Sequence, residues 1–368
     1  MKLTRLIAAA VLVATVGVPQ PAQAAENLTL QYLGSQQIPH MMKFEGTVTG
    51  GFSGLDYDPE SGTWYVVSDD RWRYNPARFY TADLEIDPAD GRFTGVRLTG
   101  VHTLRRPDAT PYPGYAQPES TDPESIRYDT TRNRLIWSSE GDRADAANPG
   151  IALSQGYLRF ADPSGRHVGE LPQPKNLELT EEERGPRRNF GFEGVSISAR
   201  NIVGLTEGPR YEDGPQPTAT TGAPVRITVW DRSGRRIQAQ YAYILEPHTT
   251  EDTGASEILS IDNNRFLTLE RSWTPTDGYR VRLYEIDLRG ATNVLNRNAL
   301  TETRYRPVSK RLVLNLSSTP VAVENYEAMS WGPTLMSGER TLVIASDDNF
   351  SPEEKSQFLL FKLGRQTH

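Results

Sequence analysis

The chain has no cysteine among its 368 residues. That excludes a disulfide scaffold, a thiolate zinc site and a cysteine nucleophile together. Histidine is scarce, and the five present (His40, His102, His167, His248 and His368) form no pair at metal-ligand spacing. There is no G-x-S-x-G elbow, no Walker A string and no G-x-G-x-x-G; GGFSG at Gly50 lacks the elbow's spacing. Helical periodicity is nearly missing, and only LELTEEERG from Leu177 reads as a short turn of helix in a loop. Basic excess is missing too: 40 Lys and Arg face 47 Asp and Glu, a formal charge of −7. Such a balance argues against non-specific binding to nucleic acid or to anionic membranes.

Long apolar runs are confined to residues 6–18, behind Lys2 and Arg5 and ahead of Ala22-Gln23-Ala24. That order reads as a secretory signal peptide, residues 1–24, cleaved before Ala25. A membrane anchor is the alternative, but the run is short of the roughly 20 residues a spanning helix needs. The expected product, residues 25–368, is a single exported domain, secreted or periplasmic. Without the two basic residues of the leader its charge is −9. It is expected to be a monomer with no membrane contact after cleavage.

What the chain does have is a degenerate repeat. Each copy runs from an acidic or polar residue through an apolar stretch, a turn and a second apolar stretch to acid and often arginine. The copies are SGLDYDPESGTWYVVSDDR from Ser53, ESIRYDTTRNRLIWSSEGDR from Glu124, EGVSISARNIVGLTEGPR from Glu193, EILSIDNNRFLTLERSW from Glu257 and EAMSWGPTLMSGERTLVIASDDN from Glu327. Their starts lie 71, 69, 64 and 70 residues apart. Two further strand-like runs follow each of the first four, several joined by Asp/Gly turns such as DPADGR, DPSGR and DRSGR. The fifth supplies only a third strand, QFLLFKLG, while NLTLQYLGSQQI from Asn27 is spare. Residues 327–368 and 25–52 together make 70, one repeat length. The sequence therefore predicts an all-β fold, a β-propeller of five four-stranded blades closed by the N-terminal strand. A six-bladed ring is the rival, for which no spare four-strand segment is found.

Antiparallel order places the start of strand one and the end of strand two at the same end of a blade. The long segments 105–121, 177–192, 207–224, 246–256, 271–278 and 317–326 are expected on that face, where binding usually sits. The opposite face is expected to carry short turns. Strand-one starts supply Ser53, Glu124, Glu193, Glu257 and Glu327. Strand-two ends supply Asp69, Asp70, Glu140, Asp142, Glu207, Glu270, Asp347 and Asp348, followed by Arg71, Arg143, Arg210 and Arg271. Since strand one is innermost in a propeller, its glutamates should ring the channel mouth.

Carboxylates converging at one mouth repel, and a hard cation such as Ca²⁺ relieves them with oxygen ligands. Glu124, Glu193, Glu257 and Glu327 are the candidate metal ligands. Asp69, Asp70, Glu140, Glu207, Glu270 and Asp347 would complete ligation or act as acid and base. Arg71, Arg143, Arg210 and Arg271 would clamp a substrate anion. The alternative is structural: each Glu pairs with an Arg of the next blade and locks the ring. Trp72, Tyr74 and Trp273, which follow the acidic ends, either pack blades or line a ligand site. No organic cofactor is expected.

The strings GGFSGLDYDPESGTWYVVSDDR, EGVSI and NYEAMSW with LVIASDDNF resemble the phytase-like family, the "esterase-like activity of phytase" proteins. The resemblance runs from about Gly46 to Leu363. It implies an exported β-propeller acting on phosphoesters or esters, with an acidic mouth similar in kind to the Ca²⁺-rich mouth of alkaline propeller phytases. The histidine-acid phytase signature RHGxRxP is absent. The first expectation is a metal-assisted hydrolase of small anionic or ester substrates. The second is a non-catalytic propeller that binds a ligand or protein through its loop-rich face.

Overall fold

The computed structural model describes residues 27–248, 252–301 and 304–366. The predicted leader, residues 1–24, lies outside them. Strand β1 (Asn27–Ile38) is followed by a small hairpin, β2 (Lys43–Phe44) and β3 (Thr47–Val48). Five four-stranded antiparallel sheets follow. Blade 1 is β4 (Phe52–Tyr57), β5 (Trp64–Ser68), β6 (Arg78–Ile86) and β7 (Phe93–Thr103). Blade 2 is β8 (Pro123–Asp129), β9 (Arg134–Ser139), β10 (Tyr157–Ala161) and β11 (His167–Glu170). Blade 3 is β12 (Phe192–Ile197), β13 (Asn201–Thr206), β14 (Pro224–Asp231) and β15 (Ile237–Ile244). Blade 4 is β16 (Thr253–Ser260), β17 (Arg265–Thr274), β18 (Gly278–Asp287) and β19 (Ser309–Asn315). Blade 5 is β20 (Asn325–Trp331), β21 (Thr341–Asp347) and β22 (Ser356–Gln366), with β1 as its outer strand.

The ring closes as the repeat spacing predicts. The innermost strands β4, β8, β12, β16 and β20 each pack on the next, and β20 returns to β4. Inner and second strands are buried on both faces, so β5 reads WYVVS with all five residues buried rather than alternating. Five apolar clusters fill the five junctions between blades. One, for instance, joins Val67 and Phe79 of blade 1 to Ile126, Leu135 and Trp137 of blade 2. No helix among the described residues is long and apolar enough to cross a membrane.

Three local expectations are corrected. LELTEEERG is not helical; a 3₁₀ turn, Lys175–Leu177, ends where that string starts. Segment 271–278 is not a long loop, because β17 and β18 stay paired from Arg265 and Asp287 to Thr274 and Gly278. The lower face also carries more than short turns. Residues 288–301 and 304–308, between β18 and β19, run back along blade 3, where the Val294 and Val308 amides donate to the Gln240 and Ala242 carbonyls of β15 at 2.7 and 2.9 Å. This segment covers what would otherwise be an exposed sheet edge.

Candidate functional site

Strand pairing gives the site its geometry. Phe52, Pro123, Phe192, Ala255 and Tyr326 are register equivalents, paired with Ser68, Ser139, Thr206, Glu270 and Ser346. Immediately after each, the inner strand bulges, which re-aims the bulged side chain. The bulge residues are Ser53, Glu124, Glu193, Ser256 and Glu327. The residues that follow the second-strand partners are Asp69, Glu140, Glu207, Arg271 and Asp347. Blades 1 and 4 carry Ser at the bulge, and blade 4 is the odd member at the second-strand position, with Arg271 where the other blades carry an acid.

Eight carboxylates result: Asp69, Asp122, Glu124, Glu140, Glu193, Glu207, Glu327 and Asp347. All but the half-buried Asp69 are buried. Two overlapping triads have ligand oxygens within 4.8 Å of one another, Asp122–Glu124–Glu140 and Glu140–Glu193–Glu207. Two arginines reach the group. Arg71 pairs with Asp122 at 2.6 Å. Arg271 pairs with Glu207 at 2.8 Å and Glu327 at 2.9 Å. Gly51 (φ 65°) and Gly254 make room, since a Cβ there would lie 2.0 Å from Asp69 Oδ1 and 2.3 Å from Glu207 Cγ.

Burial raises the pKa of these acids, and their mutual repulsion adds to it. Burial and the Asp122 charge push Asp69 up to about 8, against the pull of Arg71. Burial takes Glu207 to about 8, with Arg271 opposing and Glu327 adding. Burial and neighbouring acids hold Glu124, Glu140, Glu193 and Asp347 well above the ordinary carboxylate range. Among the described residues, the buried Asp69 Oδ1, Glu140 Oε2, Ser53 Oγ and Ser256 Oγ have no hydrogen-bond partner. An all-oxygen set with unpaired buried acceptors fits a hard divalent cation of the Ca²⁺ type.

Of the residues singled out in the sequence, Glu124, Glu193, Glu327, Asp69, Glu140, Glu207, Asp347, Arg71 and Arg271 come together. Five do not. Glu257 sits one residue past the bulge, where Arg127 pairs with it at 2.8 Å and Ser125 Oγ donates at 3.0 Å. Asp70 accepts the amides of Arg73, Tyr74 and Asn75 and pairs with Arg78 at 2.8 Å, shaping its own loop. Glu270 takes Lys310 at 2.6 Å and the Tyr243 hydroxyl. Arg143 donates to the Thr180 and Glu182 carbonyls. Arg210 pairs with Glu212 at 2.9 Å and donates to Asn298 O. Two other singled-out acids shape the rim. Asp142 pairs with Arg188 at 2.9 Å, and Asp348 accepts the Gly51 amide at 2.9 Å. The repeat motif missed Asp122, which lies two residues ahead of the matched segment; its place opposite Glu140, whose amide donates to Asp122 O at 3.3 Å, marks it.

Beside the acids opens a cavity of about 470 Å³, lined by Asp69, Asp70, Arg71, Arg73, Tyr115, Arg188, Asn189, Asn349 and Phe350. Asp69 and Arg71 therefore belong to both the acidic cluster and the cavity wall. The model of a family described as "Phytase-like: Esterase-like activity of phytase" matches residues 47–350. The chain belongs to the Phytase-like family. No curated protein matches it. Among solved structures, this Phytase-like chain is similar to a protein of unknown function from Dyadobacter fermentans (12% identity, 92% of this chain and 99% of that one, TM-score 0.40). It is also similar to a GH43 enzyme from Xanthomonas citri (12%, 87% and 88%, 0.44) and a mannose phosphorylase from Leishmania mexicana (10%, 90% and 88%, 0.40).

Proposed function

We propose that this Phytase-like propeller is an exported, metal-assisted hydrolase of ester bonds, with phosphoesters as its first substrate class. The observation that carries the reading is the contact between a buried, under-neutralised carboxylate cluster and a cavity bearing three arginines. Asp122, Glu124, Glu140, Glu193 and Glu207 would hold the cation. Such an ion, when bound, supplies Lewis-acid polarisation and lowers the pKa of bound water. Arg71, Arg73 and Arg188 bind and orient the phosphoryl oxygens. In hydrolysis a water oxygen bonds to phosphorus, the P–O bond to the alcohol breaks, and a proton passes from the water to the leaving oxygen. Asp69, at the cavity wall and with a pKa near 8, is placed to carry that proton. Arg271 holds Glu207 and Glu327 in place.

The structural-lock reading requires a balanced Glu–Arg pair at each blade. Only blade 4 carries an arginine at the second-strand position, and eight acids meet two arginines, an imbalance that supports the metal reading over such a lock. The test is a Ca²⁺ titration against a panel of phosphoesters and carboxylesters. Metal-dependent turnover that falls about 10²-fold or more in Glu193→Gln, with an unchanged circular dichroism spectrum, is expected. Turnover indifferent to both EDTA and the substitution would refute the site.

A further inference from the structure

The cavity is more than an anion pocket. Left-handed backbone at non-glycine residues clusters on it: Asn189 (φ 57°), Asn349 (φ 46°) and Phe350 (φ 52°) line it, and Trp72 (φ 60°) stands between Arg71 and Arg73. For a bulky aromatic residue such a φ is a true outlier, and strain of this kind gathers at ligand sites where the surroundings enforce it. The enforcement at Phe350 is visible. Asp348 Oδ1 accepts the amides of Gly51 (2.9 Å) and Phe350 (3.2 Å), clamping the turn. The ring is pressed on a glycine pair; a Cβ on Gly50 would meet it at 2.9 Å and one on Gly51 at 2.8 Å. Tyr74 backs it, ring centroids 4.9 Å apart. The 105–121 loop contributes Tyr115, 43% exposed, with the Arg71 guanidinium 5.8 Å from its ring centre. Arg73 is exposed, and among the described residues its guanidinium has no acidic partner.

We infer that the substrate is a phosphoester whose alcohol part is a planar ring, aryl or nucleobase-bearing, stacking on the exposed Tyr115 in the cavity whose wall the buried Phe350 forms, while Arg73 and Arg71 hold the phosphate. This rests on the hydrolase reading above and adds the ring. Aromatic faces reward a flat apolar ring and give nothing to a small polyol, and stacking on them is worth about 1–3 kcal/mol per ring, roughly 5- to 150-fold. The volume, about 470 Å³, falls within the range of small-molecule sites.

The experiment compares 1-naphthyl phosphate, adenosine 5′-monophosphate and glycerol 2-phosphate on the purified Ca²⁺-loaded protein. At least one ring ester should exceed glycerol 2-phosphate tenfold or more in kcat/KM, and which one leads separates the aryl from the nucleobase source. Tyr115→Ala, an exposed position, should cut that preference at least fivefold through KM, whereas Arg73→Ala should weaken all three esters alike. Equal kcat/KM for all three overturns the inference and leaves the hydrolase standing. If none of the three is turned over the phosphoester reading falls, and calorimetric titration decides the inference separately: tenfold tighter binding of a ring ester than of glycerol 2-phosphate supports it, equal affinities end it.

Discussion

Single side chains in the mouth have opposite roles that their residue type does not reveal. Glu140 is shared by both carboxylate triads; its Oε1 accepts the Gly191 amide at 2.8 Å and its Oε2 is unpaired. Glu257 is nearby in sequence pattern but is paired with Arg127 and hydrogen-bonded by Ser125. The expected outcomes diverge accordingly. Glu140→Gln removes one repelling charge, so the metal-free protein should melt no lower than wild type, while Ca²⁺ should no longer raise its Tm. Glu257→Gln leaves Arg127 buried without its counter-charge, a change that costs about 3–5 kcal/mol when a buried pair is broken. Its Tm should fall while the Ca²⁺-induced rise persists. Scanning calorimetry with and without EDTA reads both. The sequence motif had aligned Glu257 with Glu124, Glu193 and Glu327. The error is one residue: the bulge of β16 falls on Ser256, and a bulge position cannot be read from apolar spacing, because it adds a residue without changing the pattern on either side.

At the level of elements, strands were legible and their loops were not. Each β-run alternates or is buried on both faces, and both patterns survive in sequence; β1, for example, coincides with the spare run NLTLQYLGSQQI. Loop shape depends on which side chain folds back on which amide. Asp70 shows this. It reads as one more acid at a strand end, yet its carboxylate accepts three successive amides and closes the turn that presents Arg71 and Arg73 to the cavity. Asp70→Ala should therefore raise KM for phosphoesters more than it lowers kcat. It should also cost about 3–5 kcal/mol of stability, because Arg78 loses its buried partner. Urea denaturation checks the stability change and steady-state kinetics the KM. An unchanged KM would separate the 70–75 turn from substrate binding. The packing of Val294 and Val308 on β15 was hidden for a related reason: nothing in the composition around them states it.

The whole ring stores a cost in its mouth that a bound cation would offset. A five-bladed closure brings the inner strands together, so seven acids are buried side by side because of where the blades put them. In the metal-free protein this sets the sign of the pH dependence. Asp69 and Glu207 titrate near 8 in the folded chain, above the ordinary values of 3.8 and 4.5 that hold once it unfolds. Between those limits the folded state holds more protons than the unfolded one, so the stability these groups contribute is full below about pH 4 and is lost progressively as pH rises to about 8. Metal-free protein should accordingly lose Tm steadily from pH 5 to pH 8. Saturating Ca²⁺ competes with those protons, and its stabilisation should grow with pH over the same window, leaving a Tm nearly flat from pH 6 to pH 8. A Tm that rises with pH in EDTA would mean the carboxylates ionise freely in the fold and that the mouth needs no cation.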